Sequence, residues 1–314
     1  MNDRESVAIV VPTFNGAKEV SRLLDAIAAQ EGRFRPSVIA IDSGSADGTV
    51  SILQSRGVRV LPVGAGRFNH GVARNCALES VATPFAVLMV QDAVPVGPHW
   101  LEALVTPLLE DASLAGTWAR QLAHEEASLI TRYYHSRWMG SATAPRIAGP
   151  LTSAAFEALP PADRHAVCAF DNVCSCIRMS VWREHPFPAA PFGEDIEWAS
   201  IVLRAGHRLA FVPDAVVQHS HERPVSYELR RTRLAHARLH RLFGLSTVPS
   251  TAALARSVAV TVLLHFRLAA QEPGSRRGRA IARALGLAVA WPLGQYLGAR
   301  DSRAGRIPDS VEGV

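Results

Sequence analysis

The sequence predicts an α/β protein, with a mostly parallel sheet in its first part and a basic, all-helical region at its C-terminal end. Three observations carry that prediction. Short apolar runs alternate with segments of helical spacing over the first 120 residues. Polar clusters recur at the ends of those runs. From Tyr227 onward the strand patterns cease.

Val7–Val11 is a short apolar run ending in Pro12, the pattern of a strand buried on both faces. Ala17–Gln30 follows with Val20, Leu23, Leu24 and Ile27 on one helical face. Ser37–Ile41 reads as a second strand, Asp47–Arg56 as a second helix and Val58–Val63 as a third strand. Gly71–Val81 is a predicted helix and Phe85–Val90 a fourth strand. This order predicts parallel pairing with right-handed crossovers. Residues 122–170 are less regular, after which Glu194–Gly206 reads as a helix and Leu209–Val212 as a strand. The division expected is one domain over 1–223, with halves of about 1–120 and 121–223, and a helical region over 224–314.

At 314 residues and 48% hydrophobic, the chain can bury one large core and carry an appendage. A charged fraction of 19% argues against wholesale disorder. Charge is unevenly spread: residues 1–223 hold 19 basic and 23 acidic side chains, and residues 224–314 hold 14 and 5. A basic end of that kind suits an anionic partner. No nucleic-acid recognition motif accompanies it, so nucleic acid is not expected as a partner. Between Tyr227 and Phe243, helical spacing puts Arg230, Arg231, Arg233, Arg238 and Arg241 on one broad face. Together with the apolar stretches 252–270 and 280–298, this predicts helices lying on an anionic membrane surface. Packing on the core or self-association is the competing reading. The four cysteines are expected to be reduced thiols, because Cys174-Ser-Cys176 has no second pair to complete a zinc site. The N-terminal residues lack signal-peptide architecture, and no run of 18 uncharged apolar residues predicts a membrane span. The expected location is cytoplasmic, at the inner face of the cell membrane if the basic end engages it.

Ligands of open parallel sheets bind beyond the carboxyl ends of the strands. The polar clusters fall there: Thr13-Phe14-Asn15-Gly16 after the first strand, Asp42–Gly48 after the second, and Gln91-Asp92-Ala93 after the fourth. The pair VAIVVPTFNG (7–16) and DSGSADGT (42–49) resembles the opening of the family 2 glycosyltransferases. GRFNHGVARN (66–75) is similar to the FNHGxARN segment of the rhamnosyltransferase-like branch, with Val72 where glycine is common. Gln91-Asp92-Ala93 matches the short metal motif of that branch. Phe192-Gly193-Glu194-Asp195 resembles the Glu-Asp pair that supplies the catalytic base, and PDAVVQHSH (213–221) the strand and histidine that close the catalytic domain. The resemblance covers roughly residues 5–225.

That resemblance implies an A-type glycosyltransferase fold and an inverting, metal-dependent transfer. Asp42 would meet the base of the nucleotide, with Thr13 and Asn15 lining the same pocket. Asn69, Arg74 and Gln91 would complete the nucleotide-sugar site, Gly71 allowing close approach of a diphosphate to the helix start. Asp92 would hold Mg²⁺ or Mn²⁺, with His219 favoured over His221 as a further ligand. Asp195 is the expected base and Glu194 its neighbour. Trp198, one turn after Glu194, is placed to stack on an acceptor sugar. The implied donor is dTDP-L-rhamnose, with a UDP-sugar as the alternative. The implied acceptor is a saccharide or lipid-linked saccharide of surface-polysaccharide synthesis. Two competing readings are an inactive nucleotide-sugar-binding scaffold, which would keep Asp42 but not need Asp92 or Asp195, and a nucleotidyltransferase. Thr13–Ala17 lacks the glycine-rich basic loop of the latter. Whether the chain is a homo-oligomer stays open.

Overall fold

The computed structural model describes residues 5–63, 69–190 and 192–306. In chain order the first elements are β1 (Glu5–Thr13), α1 (Ala17–Ala28), β2 (Phe34–Asp42), α2 (Thr49–Ser55), β3 (Arg59–Pro62), α3 (His70–Leu78) and β4 (Phe85–Met89). There follow β5 (Val94–Pro95), α4 (Trp100–Glu110), β6 (Leu114–Leu122), α5 (Leu129–His135), β7 (Arg146–Ala148), α6 (Ser153–Ala158) and α7 (Pro161–Val167). The chain closes with β8 (Cys174–Arg178), α8 (Met179–Glu184), α9 (Glu194–Arg204), β9 (Arg208–Gln218), α10 (Val225–Phe243), α11 (Thr251–Ala270) and α12 (Gly274–Arg303).

These elements form two compact units. The first comprises residues up to Leu122, Trp138–Ala158 and Val167–His219; the second comprises Ala123–Arg137, Leu159–Ala166 and the chain from Ser220.

The first unit is built on one sheet in the order β3-β2-β1-β4-β8-β6-β9-β5, with β7 beside β9. β1 pairs in parallel with β2 and β4, and β2 with β3, as the alternating pattern predicts. β6 and β9 also run parallel. β8 enters between these two groups and runs antiparallel to both β4 and β6. The interior strands are apolar on both faces, and every residue of β4 is buried. α1 buries Val20, Leu23, Leu24 and Ile27, and α4 buries Trp100, Leu101, Leu104, Val105 and Leu108. These side chains join Ile9, Val11, Val87, Met89 and Ala215 in the main core.

Two of the four cysteines sit in β8: Cys174 and Cys176 are buried in the sheet, and all four thiols are free. Burial pushes the Cys168 thiol up to about 12, and those of Cys174 and Cys176 upward as well.

The strand order assembles one functional edge. Thr13 pairs with Asp42 at the ends of β1 and β2, and Leu122 pairs with Gln218 at the ends of β6 and β9. Because β8 is antiparallel, it is its beginning that reaches this edge, with Cys174 opposite Met89 at the end of β4.

In the second unit, α12 packs along α10. A Cβ on Gly298 would strike the Arg233 carbonyl and the Ala237 amide, and one on Gly294 would crowd Thr232 and the Leu229 carbonyl. Ile130, Ala269, Ala284 and Leu287 form a small core. Beside it the Tyr134 hydroxyl lies 2.9 Å from His265 Nε2, and both rings pack edge-on to Trp291. The arginines of α10 do not form the single solvent face that helical spacing predicts. Arg238 is buried, and Arg233, though exposed, is tied to Asp301 at 2.5 Å, while Arg230, Arg231 and Arg241 are exposed. α11 exposes apolar side chains at Val260, Leu263 and Phe266, and α12 exposes Leu285 and Val289. α11 is long and apolar enough to cross a membrane by length and composition, which the stricter criterion of an uncharged run does not register.

Candidate active site

Two loops meet at the ends of β1 and β2. Thr13 Oγ1 donates to Asp42 Oδ2 at 2.8 Å, and Ser45 Oγ donates to the same oxygen at 2.6 Å. Asp42 Oδ1 accepts from the amides of Gly44 and Ser45. Burial alone would raise this carboxyl. The hydrogen bonds from Ser45, Thr13 and Gly44 outweigh it and hold the group below its ordinary value. Asn15 takes a positive φ of 44° and accepts from the Ala46 amide at 2.9 Å. Gln91 clamps the first loop from the other side: its Oε1 accepts from Phe14 N at 2.9 Å and its Nε2 donates to Phe14 O at 3.1 Å. Asp47 serves the turn rather than the cap position. It accepts from the Ala17 amide and from Thr49, while Gly48 is the residue that caps α2.

Asn69 caps α3, accepting from the Val72 amide at 3.0 Å. The preceding residues of the GRFNHGVARN segment, 66–68, lie outside the described residues. Further along α3 the expectations change. A Cβ on Gly71 would strike the Pro188 carbonyl, so this glycine serves packing against the protein's own backbone. Arg74 is 3% exposed and forms an ion pair with Glu194. Its guanidinium is thus committed inside the protein and not presented to a diphosphate. Asn75 is a strut, bonding Phe187 through both its amide atoms and accepting from the Trp182 indole.

Glu194 and Asp195 open α9 behind Gly193, whose φ is 69°. Glu194 is buried and also accepts from Asn172 Nδ2 at 3.3 Å. Burial raises its carboxyl, but the charges of Arg74 and then His70 overcome that and hold it below its ordinary value. Asp195 is half-buried and accepts from the Asn172 amide at 3.2 Å. Its carboxyl is pushed well up, first by burial and then by the negative charges of Glu194 and Asp171. Such a group is a stronger base than an exposed aspartate. Trp198 is corrected by the structure: it is fully buried, packs against Phe170 and Phe187, and donates to the His185 carbonyl at 2.7 Å. Its ring is part of the core and is not available for stacking on a sugar.

Asp92 follows β4 and His219 follows β9, and His219 Nε2 lies 3.8 Å from Asp92 Oδ1. His221 lies two residues further along the chain, in the second unit. One carboxylate oxygen and an imidazole nitrogen suit a divalent cation that keeps further sites for phosphate and water oxygens. Gln121, at the end of β6, connects this pair to the base. Its Oε1 lies 3.1 Å from His219 Nδ1 and its Nε2 donates to Asp171 Oδ2 at 3.0 Å. Asp171 and Asn172 immediately precede β8, and sequence reasoning missed both, with Gln121. The available signal was a polar Asp-Asn pair directly before an apolar strand.

The sheet order and this gathering of carboxylates and a histidine at one edge define a glycosyltransferase of the A-type fold. The pattern described as Glycosyltransferase like family 2 matches residues 4–237, and the chain belongs to that family. It is 25% identical over 229 residues to the O-antigen chain rhamnosyltransferase RfbN of Salmonella typhimurium, spanning 72% of this chain and 69% of that one. It is 27% identical over 235 residues to the O-antigen chain rhamnosyltransferase WbaN of Salmonella anatum, spanning 72% and 70%. The fold is shared with the mannosyltransferase PcManGT of Pyrobaculum calidifontis in complex with GDP-Man and Mn²⁺. There the TM-score is 0.56 and the identity 21%, over 92% of this chain and 87% of that one.

Proposed function

We propose that this glycosyltransferase is an inverting, metal-dependent enzyme that moves L-rhamnose from dTDP-rhamnose to a hydroxyl of a saccharide or lipid-linked saccharide in surface-polysaccharide synthesis. The observation that carries the mechanism is the pairing, at one sheet edge, of Asp92 and His219 with the upward-shifted Asp195 carboxyl. The two rhamnosyltransferases similar to this chain support the choice of sugar.

In this reading Asp195 takes the proton of the acceptor hydroxyl as that oxygen attacks the anomeric carbon. Asn172 fixes its carboxylate through the backbone amide, and Arg74 keeps the neighbouring Glu194 ionised so that the two carboxyls do not compete for one proton. Asp92, with His219, would hold Mg²⁺ or Mn²⁺, which when bound supplies charge neutralisation to the departing diphosphate. The laced loops at Thr13, Asn15 and Asp42 form the floor for the nucleotide. All four acceptor positions of Asp42 are occupied within the loop, so contact with a pyrimidine N3–H requires Ser45 Oγ or Thr13 Oγ1 to turn away. The exposed apolar side chains of α11 and the basic residues near it support a location at the cytoplasmic face of the membrane, where a lipid-linked acceptor would be found.

The test is release of nucleoside diphosphate from a panel of dTDP-, UDP- and GDP-sugars, with and without EDTA. Turnover with dTDP-rhamnose that EDTA abolishes and Mn²⁺ or Mg²⁺ restores is the expected result. Preference for another donor would overturn the sugar, and full activity in EDTA would overturn the metal.

A further inference from the structure

His219 can serve a cation through Nε2 only if its proton sits on Nδ1. What decides that lies beyond the ligand set. Gln121 is 3% exposed and its side-chain amide is held at both ends. At one end Nε2 donates to Asp171 Oδ2 at 3.0 Å; at the other, Oε1 faces His219 Nδ1 at 3.1 Å. Asp171 uses both its oxygens as acceptors, Oδ1 taking the Val173 amide at 2.8 Å. With both Asp171 oxygens accepting, Gln121 presents its NH₂ to Asp171 and its carbonyl to His219. A carbonyl in turn demands an N–H from His219 Nδ1. The ring is then left with its lone pair on Nε2, the nitrogen 3.8 Å from Asp92 Oδ1. Rotating the amide by half a turn would set oxygen against oxygen at Asp171. Backbone bonds fix the same frame: His219 N donates to Leu122 O at 2.9 Å, and Ser141 Oγ donates to the Gln121 carbonyl at 2.9 Å.

We infer that Gln121, oriented by Asp171, is a positioning residue that locks His219 in the Nδ1–H tautomer and so sets the cation affinity of the Asp92–His219 pair. The inference rests on the reading of His219 as a ligand. Partners of this kind that orient a metal-bound histidine typically change metal affinity about 10- to 100-fold when removed. The same Asp171-Asn172 dipeptide also touches Asp195 and Glu194, so one short segment sets the histidine at one end of the site and the base at the other.

Two measurements test this. Nitrogen-15 NMR of histidine-labelled, metal-free protein reads the tautomer directly, with the His219 signals assigned by their loss in His219→Ala. The expected spectrum has the proton on Nδ1, and Asp171→Asn, which frees the Gln121 amide to turn over, should give a mixture of tautomers. Mn²⁺ titration by EPR in the presence of thymidine diphosphate reads affinity. Gln121→Leu should weaken Mn²⁺ about 10- to 100-fold, and His219→Ala at least as much. The double variant should be no weaker than His219→Ala alone, and kcat at saturating Mn²⁺ should change only a few-fold in Gln121→Leu. If Gln121→Leu does not fold, Asp171→Asn, which keeps shape and volume, carries the same two measurements. Unchanged Mn²⁺ affinity in His219→Ala would remove the metal reading beneath the inference. Weakened affinity in His219→Ala but not in Gln121→Leu, or an Nε2–H tautomer in the wild type, would overturn the inference alone.

Discussion

At Asp195, three carboxyl groups and one guanidinium share a small volume. Glu194 is held ionised by Arg74, and Asp195 and Asp171 are both pushed upward, burial first and the neighbouring negative charge next. Protons in such a group belong to the set as a whole. A base must be deprotonated to act, so kcat/KM should fall as pH drops through the raised value of Asp195, well above the usual aspartate value of about 3.9. Glu194→Gln removes a like charge and leaves Arg74 nearby, so the acid limb should move to lower pH. Asp195→Asn should lower turnover by about 10²-fold or more, as loss of a general base does. An acid limb that stayed in place in Glu194→Gln would show that Asp195 is not the group being titrated. At this scale the motifs that resemble the family point to Asp92, Asp195, His219 and Asp42, and of these the structure brings Asp92 and His219 within 3.8 Å. Motif reading does not separate Trp198 or Arg74 from them, since an aromatic or an arginine on a helix reads alike whether its side chain faces solvent or core. Burial decided both.

The elements explain what was legible and what was not. The first four strands alternate with helices, and that pattern yields parallel pairing and the edge at which Thr13, Asp42 and Asp92 meet. β8 breaks the pattern. A reading that looks for polar residues after strands passes over Asp171 and Asn172, because only in an antiparallel strand does the start lie at that edge. Gln121 is missed for a different reason: it belongs to β6 itself, where a single glutamine resembles any partly polar strand position. α3 and α9 are clamped by the Arg74–Glu194 pair, both side chains about 5% exposed or less. Removing one partner of a buried pair leaves the other charge uncompensated, at a cost of about 3–5 kcal/mol. Arg74→Leu should therefore lower the unfolding free energy in urea by about that amount, and adding Glu194→Gln should recover part of it. A single variant within about 1 kcal/mol of wild type would mean the pair is solvated and does not clamp the helices.

At the scale of the whole molecule, the C-terminal end carries the net positive charge and a run of exposed apolar side chains. The sequence located both but put the contact on the arginines of α10, because helical spacing shows which residues share a face and not which face the fold covers. With Arg238 buried and Arg233 bonded to Asp301, α11 is the stronger candidate for membrane contact. Val260 is 62% exposed, Leu263 53% and Phe266 48%, and the only charged residues of the helix are Arg256 and Arg267. The N-terminal turns of α12 add Arg276, Arg277 and Arg279, all exposed. An apolar strip bordered by arginines and free of acids suits a helix lying in an anionic lipid interface. Each arginine near such a surface contributes about 1 kcal/mol, a term that salt screens. Apolar side chains of this size contribute about 1.5–3 kcal/mol each when fully buried, a term that salt does not weaken. Sedimentation with liposomes should therefore show binding that rises with anionic lipid content and falls only partly in high salt. Leu263→Gln with Phe266→Gln should remove the salt-resistant part, and Arg256→Gln with Arg267→Gln the salt-sensitive part, while turnover on a soluble acceptor stays unchanged. Equal binding to neutral and anionic vesicles would eliminate the electrostatic contribution. Absence of binding to either, together with concentration-dependent association of the wild type that Leu263→Gln and Phe266→Gln abolish, would assign this face to contact between copies of the chain.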